Sequence, residues 1–264
     1  MSPVNPVLEL VLKATVLLAL ALLLEAVVLR RASGRLKHGV WCTALLALVL
    51  LPLTLLAPPL LSVTVRTHPP APSLPQGRGE AVIATTTSVT PQVPAPRESE
   101  SFPWESLLTV GYFIGVGGLL GRLLLDRAQL FNLARRATLA SSVHFPCDFP
   151  VHLSPAVPTP LAAGGRTGVL LPDSAHDWDT ERRHVILLHE AAHLRRLDHI
   201  TLPLALSLQA AWWFHPLVWL AISRFRTAAE AACDEAVVAA GVSPSTYAEH
   251  LLETAKSLKL ETTV

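Results

Sequence analysis

The chain has 264 residues, of which 51% are hydrophobic and 16% charged, with a mean hydropathy of +0.44. That balance excludes an ordinary soluble domain and points to a membrane protein of one large or two modest domains. A net charge of +1 leaves no electrostatic footprint for direct nucleic-acid binding, and three scattered cysteines (Cys42, Cys147, Cys233) form neither a CxxC metal pattern nor a disulfide framework.

Three apolar stretches are long enough to cross a bilayer core of about 30 Å. The first, 7–29, is interrupted by Glu9, Lys13 and Glu25, and no small-residue cleavage site follows it, so it reads as a span and not a signal peptide. The second, 40–65, carries no charge and holds Pro52, where a kink is expected. The third, 107–125, has Trp104 placed as an interface anchor and Arg122 near its end, able to snorkel. Within it Gly111/Gly115 and Gly117/Gly121 have the small-xxx-small spacing that lets helices approach. Arg30, Arg31, Arg35 and Lys37 after the first span, and Arg127, Arg135 and Arg136 after the third, both place those ends in the cytoplasm. The amino terminus and the segment 66–103, rich in Pro, Ser and Thr, then lie outside, the latter as a loop unable to fold alone.

Residues 1–127 therefore read as a membrane region and 128–264 as a cytoplasmic domain. Val143–Leu153, Val157–Ala163 and Thr167–Pro172 have short-strand character with Pro and Gly punctuation. A helix is expected to start near Asp177–Thr180, with acidic residues in its first turn, and to run through HEAAHLRRLDH, residues 189–199.

His189 and His193, four apart, share one helix face, and Glu190 is offset to reach a metal-bound water without being a ligand. That is the HExxH arrangement of zinc hydrolases, in which zinc lowers the water's pKa and Glu190 takes its proton. Composition alone would produce such a string only about 0.02 times in a chain like this.

Three residues compete to be the third ligand. His199 has the spacing of HExxHxxGxxH enzymes, but Arg196 stands where the turn needs glycine, and no methionine other than Met1 exists to form the accompanying turn. Asp198, five beyond His193, would point away on a continuing helix and suits an outer position or a helix end. Glu230 shares a helix face with Asp234, so the first could bind metal while the second holds a ligand histidine by its free N–H; Glu235 lies on a different face. The charge-free stretch 200–222 separates the two motifs. A single membrane crossing there would put His193 and Glu230 on opposite sides. Trp212-Trp-Phe-His-Pro216 supplies a break, and a helical hairpin, with Trp212, Trp213 and Trp219 at the interface, would bring the chain back.

HEAAHLRRLDH, AWWFHPLVW and RTAAEAACDEAVV together resemble the BlaR/MecR-type antirepressor metallopeptidases, integral-membrane zinc proteases of the gluzincin kind found in bacterial cytoplasmic membranes. VPTPLAAGGRTGVLLP resembles the strand region that precedes their HExxH helix. The resemblance implies a mainly α membrane protein with three transmembrane helices, a cytoplasmic α+β gluzincin-like metalloprotease domain and a membrane-associated hairpin. It implies His189, His193 and Glu230 as zinc ligands, Glu190 as general base and Asp234 outside the ligand set. It also implies Thr167, Gly168, Val169, Leu170 and Leu171 as the strand that pairs with an extended substrate. Members that sense β-lactams continue into a further span and an external penicillin-binding domain; no SxxK or KTG motif occurs here, so antibiotic sensing is not expected of these residues.

The function expected is a cytoplasm-facing membrane zinc endopeptidase that cleaves itself or a transcriptional repressor, of the winged-helix kind, when an external signal arrives through the loop, the spans or a sensor partner. A housekeeping protease for membrane proteins and a catalytically inactive membrane scaffold are the alternatives. A metal site inside the bilayer is disfavoured by Arg182, Arg183, Arg195 and Arg196, which flank the motif. His215, Arg226 and Tyr247 are candidates to stabilise the oxyanion.

Overall fold

Long apolar segments become helices because a backbone deprived of water must satisfy its own N–H and C=O groups. In the computed structural model, which describes residues 5–55, 104–140, 148–250 and 252, the described parts of the three expected spans are helical, and residues 56–65 of the second lie outside them. Helix α1 covers Pro6–Val27, and the Asn5 side chain caps it by accepting from the Val7 N–H at 2.9 Å. Helix α2 covers Gly34–Leu50 and tightens into a 3-10 turn over Leu51–Leu55, where Pro52 supplies no N–H. Helix α3 covers Trp104–Arg136, running past the expected end at Leu125 because good helix formers follow and Arg135 and Arg136 suit a helix carboxyl end. All three are long and apolar enough to cross a membrane. The polar residues of α1 are not stranded: Lys13 pairs with Glu9 at 2.6 Å, and Glu25 accepts from the Trp41 indole at 3.2 Å. Segment 66–103 and residues 143–147 of the first expected strand lie outside the described residues.

A small mixed sheet follows, with β1 Thr138–Leu139, β2 Val151–Ser154, β3 Leu161–Gly164 and β4 Gly168–Pro172 in the order β1-β2-β4-β3. Within the described residues β2 and β3 are shorter than the strands expected there. Pro150, Pro155, Pro158 and Pro160 bracket them and cannot donate to a ladder. β4 pairs in parallel with β2 and antiparallel with β3, and all five of its residues are buried. This corrects the expected substrate strand. Gly168–Leu171 of that segment lies in the sheet's interior strand, hydrogen-bonded on both sides, and among the described residues the edge left open next to it belongs to β3.

Helix α4, Thr180–Arg195, starts where the Asp179 carboxylate accepts from the Arg182 N–H at 2.7 Å. The chain turns at Leu197, held at φ 61°, into α5, Asp198–Ala211, and reverses again over 212–215 into α6, Pro216–Ala239. The expected hairpin is therefore present. It does not rest on the outside of the bundle. Ala205, Val218, Ile222 and Phe225 pack with Ala14 and Leu18 of α1 and Trp41 and Leu48 of α2 in one core. Trp212 is buried in that core and so is no interface anchor. Trp213 lies against Gly115, where any Cβ would meet its ring, whereas Gly111, Gly117 and Gly121 have no such close neighbour; the glycine pairs serve one tryptophan and no helix seam among the described residues. A second core, with Val151, Val169, Leu171, Leu187 and Leu194, joins the sheet to α4.

Gly34 is where α2 meets α6. A Cβ there would lie 2.6 Å from the Ala232 nitrogen and 2.7 Å from the Ala231 carbonyl carbon, and both are backbone atoms that cannot swing aside. The Glu235 carboxylate accepts from the Gly34 N–H at 2.6 Å across the same contact. Gly34→Ala is expected to lower stability by about 1–3 kcal/mol, the scale of overpacking a tight contact. A denaturation midpoint in detergent micelles measures it, and an unchanged midpoint would contradict this reading of the contact.

Candidate metal centre

The i, i+4 spacing on α4 brings His189 and His193 together with Nε2 atoms 3.2 Å apart. Helix α6, returning from the hairpin, sets Glu230 Oε2 3.6 Å from His189 Nε2 and 3.7 Å from His193 Nε2. Donor atoms about 2.0–2.2 Å from one tetrahedral ion would lie roughly 3.4 Å from each other. Two imidazoles and a carboxylate at this spacing form a group able to hold a metal.

The outward nitrogens are fixed as well. His193 Nδ1–H donates to Asp198 Oδ2 at 2.8 Å. The Tyr247 hydroxyl donates to Asp234 Oδ1 at 2.6 Å, so it receives the His189 Nδ1–H, 2.9 Å away, on its oxygen. Asp234 Oδ1 is itself 3.3 Å from that nitrogen. Each ring is thereby tied from behind through Nδ1, which directs Nε2 toward Glu230 and, once Nε2 gives up its proton, leaves its lone pair for a metal. Hydrogen bonds from both histidines hold the Glu230 carboxyl well below the usual carboxylate range. Burial alone would lower His193, but hydrogen bonds with Asp198, Cys233 and Glu230 outweigh it and push it up to about 12.

Glu190 is outside this donor set and 9% exposed. Burial pushes its carboxyl up, against the pull of both histidines and of the Ala162 N–H on β3. That contact joins the group to β3, the terminal strand of the sheet on this side.

The other sequence candidates separate cleanly. His199 rests its ring against Gly164 and belongs to neither metal-competent group found among the described residues. Asp198 is both the first residue of α5 and the partner of His193, because Leu197 breaks the helix that would have turned it away. Tyr247 meets His189 at Nδ1, the side of the ring away from Glu230, a position from which it orients that ring. His215 sits at the hairpin tip, 3.0 Å from the Thr15 hydroxyl, and is removed from the centre. Arg226 lines a groove one turn before Glu230. His38 was not legible as a site residue: it comes from α2, reaches within 3.8 Å of Asp198 Oδ1, and stacks on Phe225. A second group of His193, Asp198 and Cys233 is close enough for a metal, but the Arg196 guanidinium 3.4 Å from Asp198 already supplies positive charge there.

Asp198→Asn is expected to weaken metal binding by about 10–100-fold, and Tyr247→Phe to act in the same direction, because each releases a ligand ring from its tautomer. Competition with a chelator of known affinity measures the effect. Wild-type affinity in both variants would mean that these contacts do not prepare the site.

The model of the BlaR1 peptidase M56 family matches residues 5–263. The regulatory protein BlaR1 of Bacillus licheniformis is 31% identical over 86 residues, which is 32% of this chain and 14% of that protein. The match thus spans a small part of that relative's length.

Proposed function

This chain belongs to the BlaR1-type M56 family of peptidases, and on that premise we propose that it is an integral-membrane zinc endopeptidase of the gluzincin kind. The observation that carries the reading is the donor triangle of His189, His193 and Glu230, with sides of 3.2, 3.6 and 3.7 Å and with both imidazoles oriented from behind. These three residues would hold zinc, whose chemistry is to acidify a bound water and polarise a carbonyl. Glu190 would accept a proton from the attacking water as the C–O bond forms and then return it to the leaving amine as the peptide C–N bond breaks. The substrate lies extended along β3, Leu161–Gly164, hydrogen-bonding to the edge that β4 leaves open.

Residues 1–127 anchor the protease region 128–264, with the amino terminus outside and the centre facing the cytoplasm, a reading supported by the basic residues after α1 and at the end of α3. The family relation supports a role in signalling, with a protein substrate such as a repressor or the peptidase itself. The test compares proteins clipped in cells carrying wild type and Glu190→Gln. Products that vanish in the variant are expected, and identical patterns would overturn the proposal.

The raised His193 has a consequence for metal uptake. At neutral pH the metal-free imidazole carries two protons, and the one on Nε2 must leave before zinc can bind. Zinc affinity is expected to rise about tenfold per pH unit for each proton released. Titration calorimetry in buffers of different ionisation enthalpy reads the proton count, and a count of zero contradicts the assigned geometry.

A further inference from the structure

Between α3 and the α5–α6 hairpin lies a groove of about 500 Å3 that the chemistry at the metal does not use. Its α6 wall carries Trp219, Ser223, Arg226 and Thr227. Trp219, Ser223 and Thr227 are spaced by four along one helix side, with Arg226 beside them, and Glu230 lies three beyond Thr227. From Thr227 to Glu230 the helix rises only about 4.5 Å, so the groove's α6 wall ends within one turn of a donor residue.

Its deep end is polar where lipid offers no partner. Gln209 lines it near the far end of α5. The hairpin tip just beyond meets Thr15, midway along α1, and the Ala211 carbonyl accepts from the Tyr112 hydroxyl of α3 at 3.0 Å. A carboxamide at mid-span depth is costly in hydrocarbon and marks a wetted path or a ligand contact. The mouth carries Arg122 and Arg226 against Asp126, a net positive rim.

We propose that this groove receives the part of a substrate polypeptide that emerges from the membrane: apolar side chains on the leucine-lined wall, backbone amides at Gln209, and an acidic side chain at Arg122 and Arg226. The substrate class is thus a membrane-anchored polypeptide with a carboxylate at the cytoplasmic border. A phospholipid would satisfy the rim with its phosphate but would bring only acyl chains to Gln209; a peptide backbone supplies both donor and acceptor there. The assignment rests on the proposed peptidase and its orientation.

The test uses the full chain with Glu190→Gln and Leu123→p-benzoylphenylalanine in vesicles of phosphatidylethanolamine and phosphatidylglycerol. The probe is a single apolar transmembrane helix followed by an unstructured segment that begins with Asp or with Lys. Photo-cross-linking is expected to favour the Asp probe by at least about fivefold, Arg226→Gln to erase that preference, and Arg122→Glu with Arg226→Glu to reverse it. Adducts to lipid alone, equal adducts to both probes, equal adducts to the same segment without its helix, or no adduct would each overturn the groove assignment. Zinc content of the wild-type chain is read separately, so its absence would sink the peptidase reading while leaving the cross-linking result intact.

Discussion

Glu190→Gln is expected to abolish peptide cleavage, by about 10²–10⁴-fold in kcat, while the purified chain keeps as much zinc as wild type. The two halves of that result have separate causes. Glutamine matches the shape of glutamate but cannot accept a proton from a metal-bound water at neutral pH. Zinc is retained because the donors are His189, His193 and Glu230, and none of their contacts passes through Glu190. The site is 9% exposed, and exchanging a charged group for a neutral isostere in a buried place removes a desolvation penalty, so folding should not suffer. Steady-state cleavage and metal analysis on one preparation check both halves. Full activity in the variant would remove Glu190 from the mechanism, and lost zinc would move it into the ligand set.

Glu230→Ala is expected to lose zinc on dialysis, with affinity falling by more than about 100-fold, beyond the scale for an outer contact. His199→Ala is expected to keep it. Glu230 is on α6 among alanines, its side chain is 61% exposed, and alanine is the best helix former, so the substitution removes a donor and spares the helix. The carboxylate also supplies the only negative charge among the three donors. His199 contributes no donor atom to that group and rests on Gly164 instead. Atomic absorption after exhaustive dialysis distinguishes the two variants. If His199→Ala lost zinc and Glu230→Ala kept it, the third ligand would be His199 and the role of the hairpin in returning the chain to the centre would fall.

The pair of predictions marks how far local pattern reaches. His189 and His193 on one face, with Glu190 offset, follow from 3.6 residues per turn, and α4 from Thr180 to Arg195 carries them as that period requires. The caps at Asn5, Ser33 and Asp179 are local too, each a short polar side chain accepting from an N–H two or three residues on. Asp198 shows where extrapolation fails: a helix continued past Arg195 would have pointed it away, and one residue at φ 61° turned it onto His193.

The substrate edge was misplaced for a related reason. Val169, Leu170 and Leu171 are apolar because they are buried on both faces, which is a mark of an interior strand and not of an open edge. Strand order depends on which segments pair, and composition along a single strand is silent about its neighbours.

By itself the sequence determined the apolar spans, the HExxH face of α4 and the hairpin that Pro216 begins, since each arises from hydrophobicity and backbone geometry within a few turns. Only the tertiary structure decided that Tyr247 orients His189 from 58 positions away, that Glu235 secures α2 across 201, and that His38 lies behind Asp198. Such contacts come from packing α6 against both α2 and α4, and packing is a property of surfaces that meet, which no local period encodes.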